Sequence, residues 1–187
     1  NGQSQEEALV DLRSTLDWLG DDVQYINAEV DPHVEMCTIT KAFDNSKVIV
    51  ANNIKGYPNT RMISNLYSRK ERVCRFHGCN DFRDIKHQLI KQVNNPIPPR
   101  VVSDAPVHEE TLIPGKDFTH IEDIIPVAQH TFRDGGRIFG AGSHLFMGEP
   151  WVPGGGSQIS MYRMSFREGQ KYASINMVPG GAGDVIC

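Results

Sequence analysis

The sequence has no long apolar run, few cysteines and no leader pattern. None of its hydrophobic stretches approaches the roughly 18 residues that a membrane span needs, and its first ten residues lack the basic start and apolar run of a signal peptide. Only four cysteines occur in 187 residues, and their spacing is typical of neither a disulfide framework nor a zinc ribbon. These absences predict a cytoplasmic protein with reduced thiols and no membrane-bound segment.

Charge is distributed unevenly along the chain. Residues 1–36 hold nine acidic side chains against one basic, whereas residues 55–91 hold nine basic against three acidic. The basic stretch has no interleaved aromatic side chains, and the whole chain carries a net charge of −4. The pattern therefore favours a solvated helix face over a nucleic-acid partner.

Hydrophobic spacing and capping residues predict an α/β arrangement for residues 1–95. Leucines three and four residues apart follow a Ser4/Glu7 capping box and predict an amphipathic helix. A second capping box, Ser68 with Glu71, predicts another helix. The predicted helices run from Ser4 to Gly20, from Pro32 to Phe43 and from Ser68 to Gly78, and a further helix capped by Asp81 has Phe82, Ile85, Leu89 and Val93 on one face. Strands are predicted at 47–51 and 61–66.

Residues 96–187 have a different texture and form a second predicted domain. The run Asn94–Pro99 lacks several backbone donors and ends any helix, so it marks the boundary. Twelve of the 17 glycines fall between Asp134 and Cys187, among alternating strands predicted at 137–139, 158–166 and 171–178. This pattern predicts antiparallel β-structure, the beginning of a barrel. An edge left open at its end predicts that the chain is part of a longer polypeptide or needs a second subunit.

Several chemical motifs are present only in part. His130, Asp134 and His144 supply the residue types of a non-haem iron site, but Asp134 begins an Asp-Gly-Gly turn and is predicted to bond its own backbone. The glycine-rich loops complete no phosphate-binding fingerprint, and Ser157 lacks the closing glycine of a nucleophile elbow. These patterns predict turns rather than catalytic loops.

Arg163 lies in an otherwise apolar predicted strand. A buried cation without a partner is costly, so an anion is expected beside it. That anion is either a carboxylate of the same fold or a ligand phosphate or carboxylate, and the residues alone leave both open.

Five short motifs, taken together, resemble the UbiD family of decarboxylases. Each is weak alone, but their order and spacing extend across nearly the whole chain. They are V-D-P with a following glutamate at Val30–Met36, the K-G-Y segment at Asn53–Pro58, Asn65-Leu66 with the arginine helix at 68–72, D-G-G at Asp134–Ile138, and the N-x-S-I-x-R cofactor motif, here Gln158–Arg163.

The resemblance implies an α/β N-terminal domain, an antiparallel split β-barrel that binds prenylated FMN, and further chain beyond Cys187 that carries catalytic glutamates. It implies reversible decarboxylation of an aromatic or α,β-unsaturated acid, with a divalent metal (Mn or Mg) and K as further cofactors. A flavin prenyltransferase would supply the cofactor, and the enzyme would be a homo-oligomer. The implied cofactor-binding residues are Gln158, Ile159, Ser160, Met161, Arg163, Gly180 and Gly181, with Gln158 also a metal ligand and Arg163 catalytic.

Two departures from the family pattern keep other functions open. Gln158 replaces an asparagine, and Gly180-Gly181 stands where a histidine is expected, with no histidine after His144. A non-catalytic flavin-binding or scaffolding subunit is the alternative that the missing histidine favours. A flavin-binding split barrel with a redox function is the third hypothesis. Strict alternation also places Ser160 and Arg163 on opposite faces of one strand.

Overall fold

A computed structural model describes residues 11–97, 102–147, 157–167, 170 and 172–180. The chain divides into two compact units, one comprising Asn1–Val30 and Ile39–Leu112, the other Asp31–Thr38 and Ile113–Cys187. The domain boundary predicted between residues 95 and 96 lies within the first unit and remains a prediction. In the described part of the chain, no helix has the length and apolar character needed to cross a membrane.

The first helix, α1, spans Leu12–Leu19 and is capped by Asp11. The Ser14 N–H donates to Asp11 Oδ1 at 2.8 Å, and the Asp11 N–H lies 3.3 Å from Ser14 Oγ, which completes a capping box. The helix ends at Gly20, as predicted, where φ is +55°. The predicted Ser4/Glu7 capping box lies outside the described residues.

A three-stranded sheet forms the centre of the first unit. Its strands are β1 (Val23–Ile26), β2 (Val48–Ala51) and β3 (Met62–Ser64), in the order β1-β2-β3. Strand β2 is parallel to β1, antiparallel to β3 and fully buried. The apolar runs predicted β2 and β3, whereas the mixed residues of β1 gave no strand signal.

The other α-helices among the described residues are α2 (Glu35–Ala42), α3 (Lys70–Phe76) and α4 (Asp84–Asn94). The predicted Ser68/Glu71 capping box is wrong, because α3 begins after Arg69 and the Ser68 hydroxyl donates to the Asn65 carbonyl at 3.0 Å. Gly78 does follow the end of α3 with a positive φ of +61°, as a helix terminus of this kind requires.

The predicted apolar face of α4 is mostly exposed in the structure. Ile85 is buried, but Leu89 and Val93 are 49% and 78% exposed. Asp81 also does not cap α4, since its Oδ1 accepts the Arg83 N–H at 2.8 Å in a turn before the helix. The periodicity correctly indicates a helix, but it does not show which part of the apolar stripe meets a neighbour.

The second unit contains an antiparallel sheet of β4 (Arg137–Met147), β5 (Ser157–Phe166) and β6 (Ser174–Ile175), in that order. Antiparallel strands were predicted here, although β6 is shorter than the predicted 171–178. The split barrel is not confirmed, because this sheet does not close within the described residues. A register shift between Phe139 and Gly142 places a bulge in β4.

Candidate functional site

Strand β5 carries most of the residues predicted to bind the cofactor, and it separates them onto two faces. Ile159 and Met161 are 75% and 73% exposed, and Arg163 is exposed beside them. Ser160 lies on the other face, with Phe166, which is buried. The alternation predicted from the sequence is therefore present, and Ser160 and Arg163 point in opposite directions.

Arg163 is not the buried cation that the apolar strand predicted. Its side chain is exposed, and no carboxylate of the described chain forms an ion pair with it. The prediction is wrong because burial of Arg163 requires that its face of β5 be covered, whereas that face is exposed at Ile159, Met161 and Arg163. A partner anion is consequently not required for folding.

Exposed apolar side chains lie on the same face of the β4–β5 sheet as Arg163. Leu145 in β4 pairs with Ile159, and Leu145 is itself 60% exposed. Ser143 pairs in the same way with Met161. We call Leu145, Ile159, Met161 and Arg163 the open face. Several exposed apolar side chains on one strand face that also carries a guanidinium are typical of a binding surface.

The bulge in β4 lies opposite Arg163. Phe139 pairs with Met164 and Gly142 with Tyr162, so two residues of β4 face the single position 163. Such an insertion bends its own strand and increases the local twist. Because the bulge belongs to β4, it does not bring Ser160 onto the face of Arg163.

Two of the residues predicted to bind the cofactor, Gln158 and Gly181, are not fully covered by the structure. The backbone of Gln158 belongs to β5, but its side chain is outside the described residues. Gly181 lies outside them altogether. Gly180 is in a turn with φ of +75°, a conformation that favours glycine. The roles of Gln158, Gly180 and Gly181 in cofactor binding therefore remain predictions.

The opposite face of the sheet carries a small apolar cavity that is open to solvent on one side. The rings of Phe139 and Phe166 meet edge to face with centroids 5.3 Å apart. Together with Met164 and Tyr172 they line a cavity of about 220 Å³. Sequence reasoning missed this cavity, because residues distant along the chain form its wall.

The Asp-Gly-Gly turn has the structural role that its sequence predicted. The Asp134 carboxylate accepts the N–H groups of His130 and Thr131 at 3.0 and 2.8 Å, and the Thr131 hydroxyl at 3.0 Å. The hydrogen bond from the Thr131 N–H is the main cause that lowers the pKa of Asp134. Among the described residues, no three His, Cys, Asp or Glu side chains come together as a metal site. An iron site at His130, Asp134 and His144 is thus not supported.

The V-D-P motif is likewise held by its own polar groups. Glu35 Oε2 accepts the Asp31 N–H at 2.7 Å, and Asp31 Oδ1 accepts the His33 N–H at 2.8 Å. The segment is anchored to Gln129, whose carbonyl accepts the Val34 N–H at 2.9 Å. The glutamate of this motif therefore fixes a turn, a role that the sequence analysis did not assign.

The Asn65 and Arg72 motif has a structural role in the first unit. The Arg72 guanidinium is 2% exposed and donates to the carbonyls of Asn65 and Ser46 at 2.9 and 2.6 Å. Burial lowers the pKa of Arg72, an effect opposed by the Asp22 carboxylate 3.7 Å away. The basic stretch is otherwise a largely solvated surface, as predicted, and Arg72 is its buried exception.

The described residues fit a flavin better than they fit a metal. A flat, partly anionic aromatic group matches an open face of apolar side chains with one guanidinium. Among the described residues, no three His, Cys, Asp or Glu side chains form a metal site at the open face. A metal here would need ligands from outside the described residues.

Comparisons with known proteins give a consistent result. Residues 20–89 match the family model described as the 3-octaprenyl-4-hydroxybenzoate carboxy-lyase N-terminal domain. Among curated proteins, the chain is 27% identical to the gallate decarboxylase of Lactiplantibacillus plantarum over 91% of this chain and 37% of that protein.

Two solved structures share the fold. The apo 3,4-dihydroxybenzoic acid decarboxylase of Klebsiella pneumoniae superposes with a TM-score of 0.81 at 21% identity, over 94% of this chain and 38% of that one. An evolved dimeric form of a UbiD-class enzyme from Pelotomaculum thermopropionicum, in complex with prFMN, gives a TM-score of 0.77 at 20% identity, over 92% and 39%. The chain therefore spans less than two fifths of the length of these relatives. The resemblance predicted from the five motifs is confirmed.

Proposed function

We propose, on the premise that this chain carries the N-terminal portion of the UbiD family, that it belongs to a carboxy-lyase that uses prenylated FMN. The reaction is the reversible removal of carbon dioxide from an aromatic or α,β-unsaturated acid. The observation that carries the proposal is the open face, where Arg163 of the cofactor motif stands beside exposed Ile159 and Met161.

Prenylated FMN, when bound, would supply an electrophile and an electron sink for the carbanion that remains after carbon dioxide leaves. The side chains of the open face have simpler tasks. Leu145, Ile159 and Met161 cover the flat faces of aromatic rings and exclude water from them. Arg163 offers two parallel N–H donors that can orient a carboxylate. The acid-base carboxylates would come from outside the described residues.

An aromatic acid is the proposed substrate class. The curated relative acts on gallate and one structural relative on 3,4-dihydroxybenzoate, by their names. A guanidinium beside an apolar surface suits a molecule with one carboxylate and one flat ring. Homo-oligomer formation, or completion by a second subunit, accords with the open edge and exposed face of the β4–β5 sheet, and a flavin prenyltransferase would act as cofactor supplier. We place the protein in the cytoplasm on the composition of its sequence.

A divalent metal, Mn or Mg, and K are further cofactors that the family resemblance implies. Gln158 would be a protein ligand of the divalent ion through its amide oxygen. Because the described residues assemble no metal site, no part of the mechanism proposed here depends on the ion.

The test of the proposal is co-purification of the cofactor. We expect protein produced together with a flavin prenyltransferase to retain a chromophore whose absorption and mass differ from those of ordinary FMN. Met161→Asp, which places a charge on the open face, should reduce chromophore retention. Val178→Asp is the matched control, because Val178 is also an exposed apolar residue, 70% accessible, outside the open face. A purified protein without chromophore, or equal retention in both variants, would contradict the proposal.

A non-catalytic flavin-binding or scaffolding subunit is the second candidate. It is favoured by Gly180-Gly181 at the position of the expected histidine. The two functions differ in one measurement, since a scaffold retains or contacts the cofactor without exchanging labelled carbon dioxide into an aromatic acid.

A further inference from the structure

Two cysteines of the first unit meet where α3 ends. The Cys79 N–H donates to the Cys74 carbonyl at 3.0 Å, and the Gly78 N–H donates to the Arg75 carbonyl at 3.3 Å. With the positive φ of Gly78, these two hydrogen bonds form a Schellman motif, in which the residue after the glycine packs against the last turn of the helix. Cys79 is that residue, so the end of the helix brings it back to Cys74.

The thiol groups of the two cysteines are in contact as well. The Cys79 thiol donates to the Cys74 carbonyl at 3.6 Å, and a side-chain hydrogen bond joins the two thiols. Both cysteines are free in the structure. A disulfide needs two adjacent backbones whose side chains are directed at each other, and the backbone hydrogen bond and the thiol contact meet these two conditions.

The two sulfur atoms differ in their access to solvent. Cys74 is 7% exposed, whereas Cys79 is half-buried and follows the exposed Gly78. Burial is the main cause that raises the pKa of the Cys74 thiol, and the hydrogen bond with the Cys79 thiol raises it further. Because the thiolate is the attacking form of cysteine, an oxidant from solution would react with Cys79 first and with Cys74 second.

We propose that Cys74 and Cys79 form a redox site, which a small-molecule disulfide such as oxidised glutathione converts reversibly to an intramolecular disulfide. The Cys79 thiolate attacks one sulfur of the oxidant, forms a mixed disulfide and releases one glutathione thiolate. The Cys74 thiol then loses its proton and attacks the Cys79 sulfur, which forms the Cys74–Cys79 bond and releases the second glutathione thiolate. The pair gives up two electrons and two protons, and the oxidant becomes two thiols.

The disulfide would close the turn that follows α3. The His77 carbonyl in this turn accepts the side-chain amide of Gln88, in α4, at 3.1 Å, so the crosslink would fix the place where α4 is attached to the end of α3. Disulfides in the cytoplasm are usually transient or redox-sensing, which agrees with a pair that is reduced in the structure. The proposal does not rest on the proposed function, because neither cysteine belongs to the open face.

The experiment is a redox titration of the whole chain over a series of ratios of reduced to oxidised glutathione, followed by acid quenching, alkylation of the remaining thiols and tryptic peptide mapping by mass spectrometry. Cleavage after Arg72, Arg75 and Arg83 separates the two cysteines into peptides 73–75 and 76–83, so the disulfide appears as a linked pair of peptides. We expect the linked pair to form and then to disappear when reduced glutathione is restored. Alkylation of both cysteines should fall at least about fivefold at the oxidising end of the series.

Cys37 is the internal control, because it is also half-buried and lies in α2, and its alkylation should change by less than about twofold. Cys74→Ala removes the second thiol and should trap Cys79 as a mixed disulfide with glutathione, whereas Cys79→Ser should leave Cys74 reduced. If either variant does not fold, the linked peptides of the parent, compared with Cys37, decide the question. Absence of the linked pair at every ratio, or an equal loss of alkylation at Cys37, would overturn the proposal.

Discussion

Arg72 is a buried arginine whose guanidinium joins three parts of the first unit. It donates to the carbonyls of Asn65, after β3, and Ser46, before β2, and it lies 3.7 Å from Asp22. Removal of this side chain would leave the Ser46 carbonyl without its Arg72 donor, and the Asn65 carbonyl would keep only the Ser68 N–H and hydroxyl. Asp22 would keep Arg69 as its neighbouring cation. The arrangement explains why arginine stands here in a stretch of otherwise solvated basic residues.

We predict that Arg72→Met lowers the free energy of unfolding by about 3 kcal/mol, because two hydrogen bonds from a charged donor are lost in a buried place. Arg69→Met is the control, since Arg69 is partly exposed and its ion pair with Asp22 is 3.7 Å long; its loss should cost less than about 1 kcal/mol. Urea unfolding followed by circular dichroism measures both. Equal losses would show that Arg72 does not hold the unit together.

Gly136 illustrates a residue whose identity is fixed by a close backbone approach. A Cβ atom at this position would lie 2.2 Å from the Phe166 carbonyl oxygen, whereas one at Gly135 would meet nothing within 4 Å. The D-G-G motif therefore contains one glycine that the packing requires and one that it does not.

We accordingly expect Gly136→Ala to destabilise the protein by about 2 kcal/mol or more, because the contact is with backbone and cannot be relieved by a side-chain rotation. Gly135→Ala should change the stability by less than about 0.5 kcal/mol. Thermal unfolding of the two variants is a sufficient comparison, and a Gly135 variant that is the less stable of the pair would contradict this interpretation.

At the scale of elements, the turn before β4 depends on a charged carboxylate. The hydrogen bond from the Thr131 N–H lowers the pKa of Asp134 below its usual value of 3.8. A carboxyl whose pKa is lower in the folded state stabilises that state at higher pH, and this stabilisation disappears as the pH falls through the folded pKa.

The expected result is that Asp134→Asn lowers the melting temperature at pH 7 but makes little difference in strong acid, where the parent carboxyl is itself protonated. Asp104→Asn is the control, because Asp104 is exposed and has no hydrogen bond within the described residues. Calorimetry from pH 7 down to the acid limit measures the difference. If Asp134→Asn lowers the melting temperature by the same amount at every pH, the turn does not depend on an ionised carboxylate.

Sequence reasoning succeeded where the signal is local. The apolar run of β2, the glycines that end α1 and α3, and the alternation of β5 all follow from properties of a few adjacent residues. It failed where burial depends on distant chain, as for Arg163, which is exposed because its face of β5 is open, and for Val93, which is 78% exposed. Strand β1 was missed because the short sequence Val-Gln-Tyr-Ile gains its structure from pairing with β2.

The candidate site was predicted on a different basis from the fold. No spacing argument identified the cofactor strand, and the family resemblance did so through the motif at Gln158–Arg163. The apolar cavity beside Phe139 and Phe166 had no sequence signal, since its lining extends from Ile121 to Ala173. Such a site is visible only after the chain has folded.

At the scale of the whole molecule, the chain has two units: the first is built around the β1-β2-β3 sheet, and the second contains a sheet that presents Arg163 on the open face. In the function proposed above, this guanidinium orients a carboxylate in a prenylated-FMN carboxy-lyase. A lysine at this position would keep the positive charge but could not donate two parallel N–H hydrogen bonds to one carboxylate, so replacing Arg163 with lysine tests this role.

The most direct test is the turnover of cofactor-loaded protein with an aromatic acid, measured as release of labelled carbon dioxide, for the parent, Arg163→Lys and the control Arg167→Lys. Arg167 is an exposed arginine just beyond the end of β5. We predict at least about a tenfold fall in turnover for Arg163→Lys, equivalent to about 1.4 kcal/mol of transition-state stabilisation, and turnover within about twofold of the parent for Arg167→Lys. Unchanged turnover in Arg163→Lys would contradict the claim.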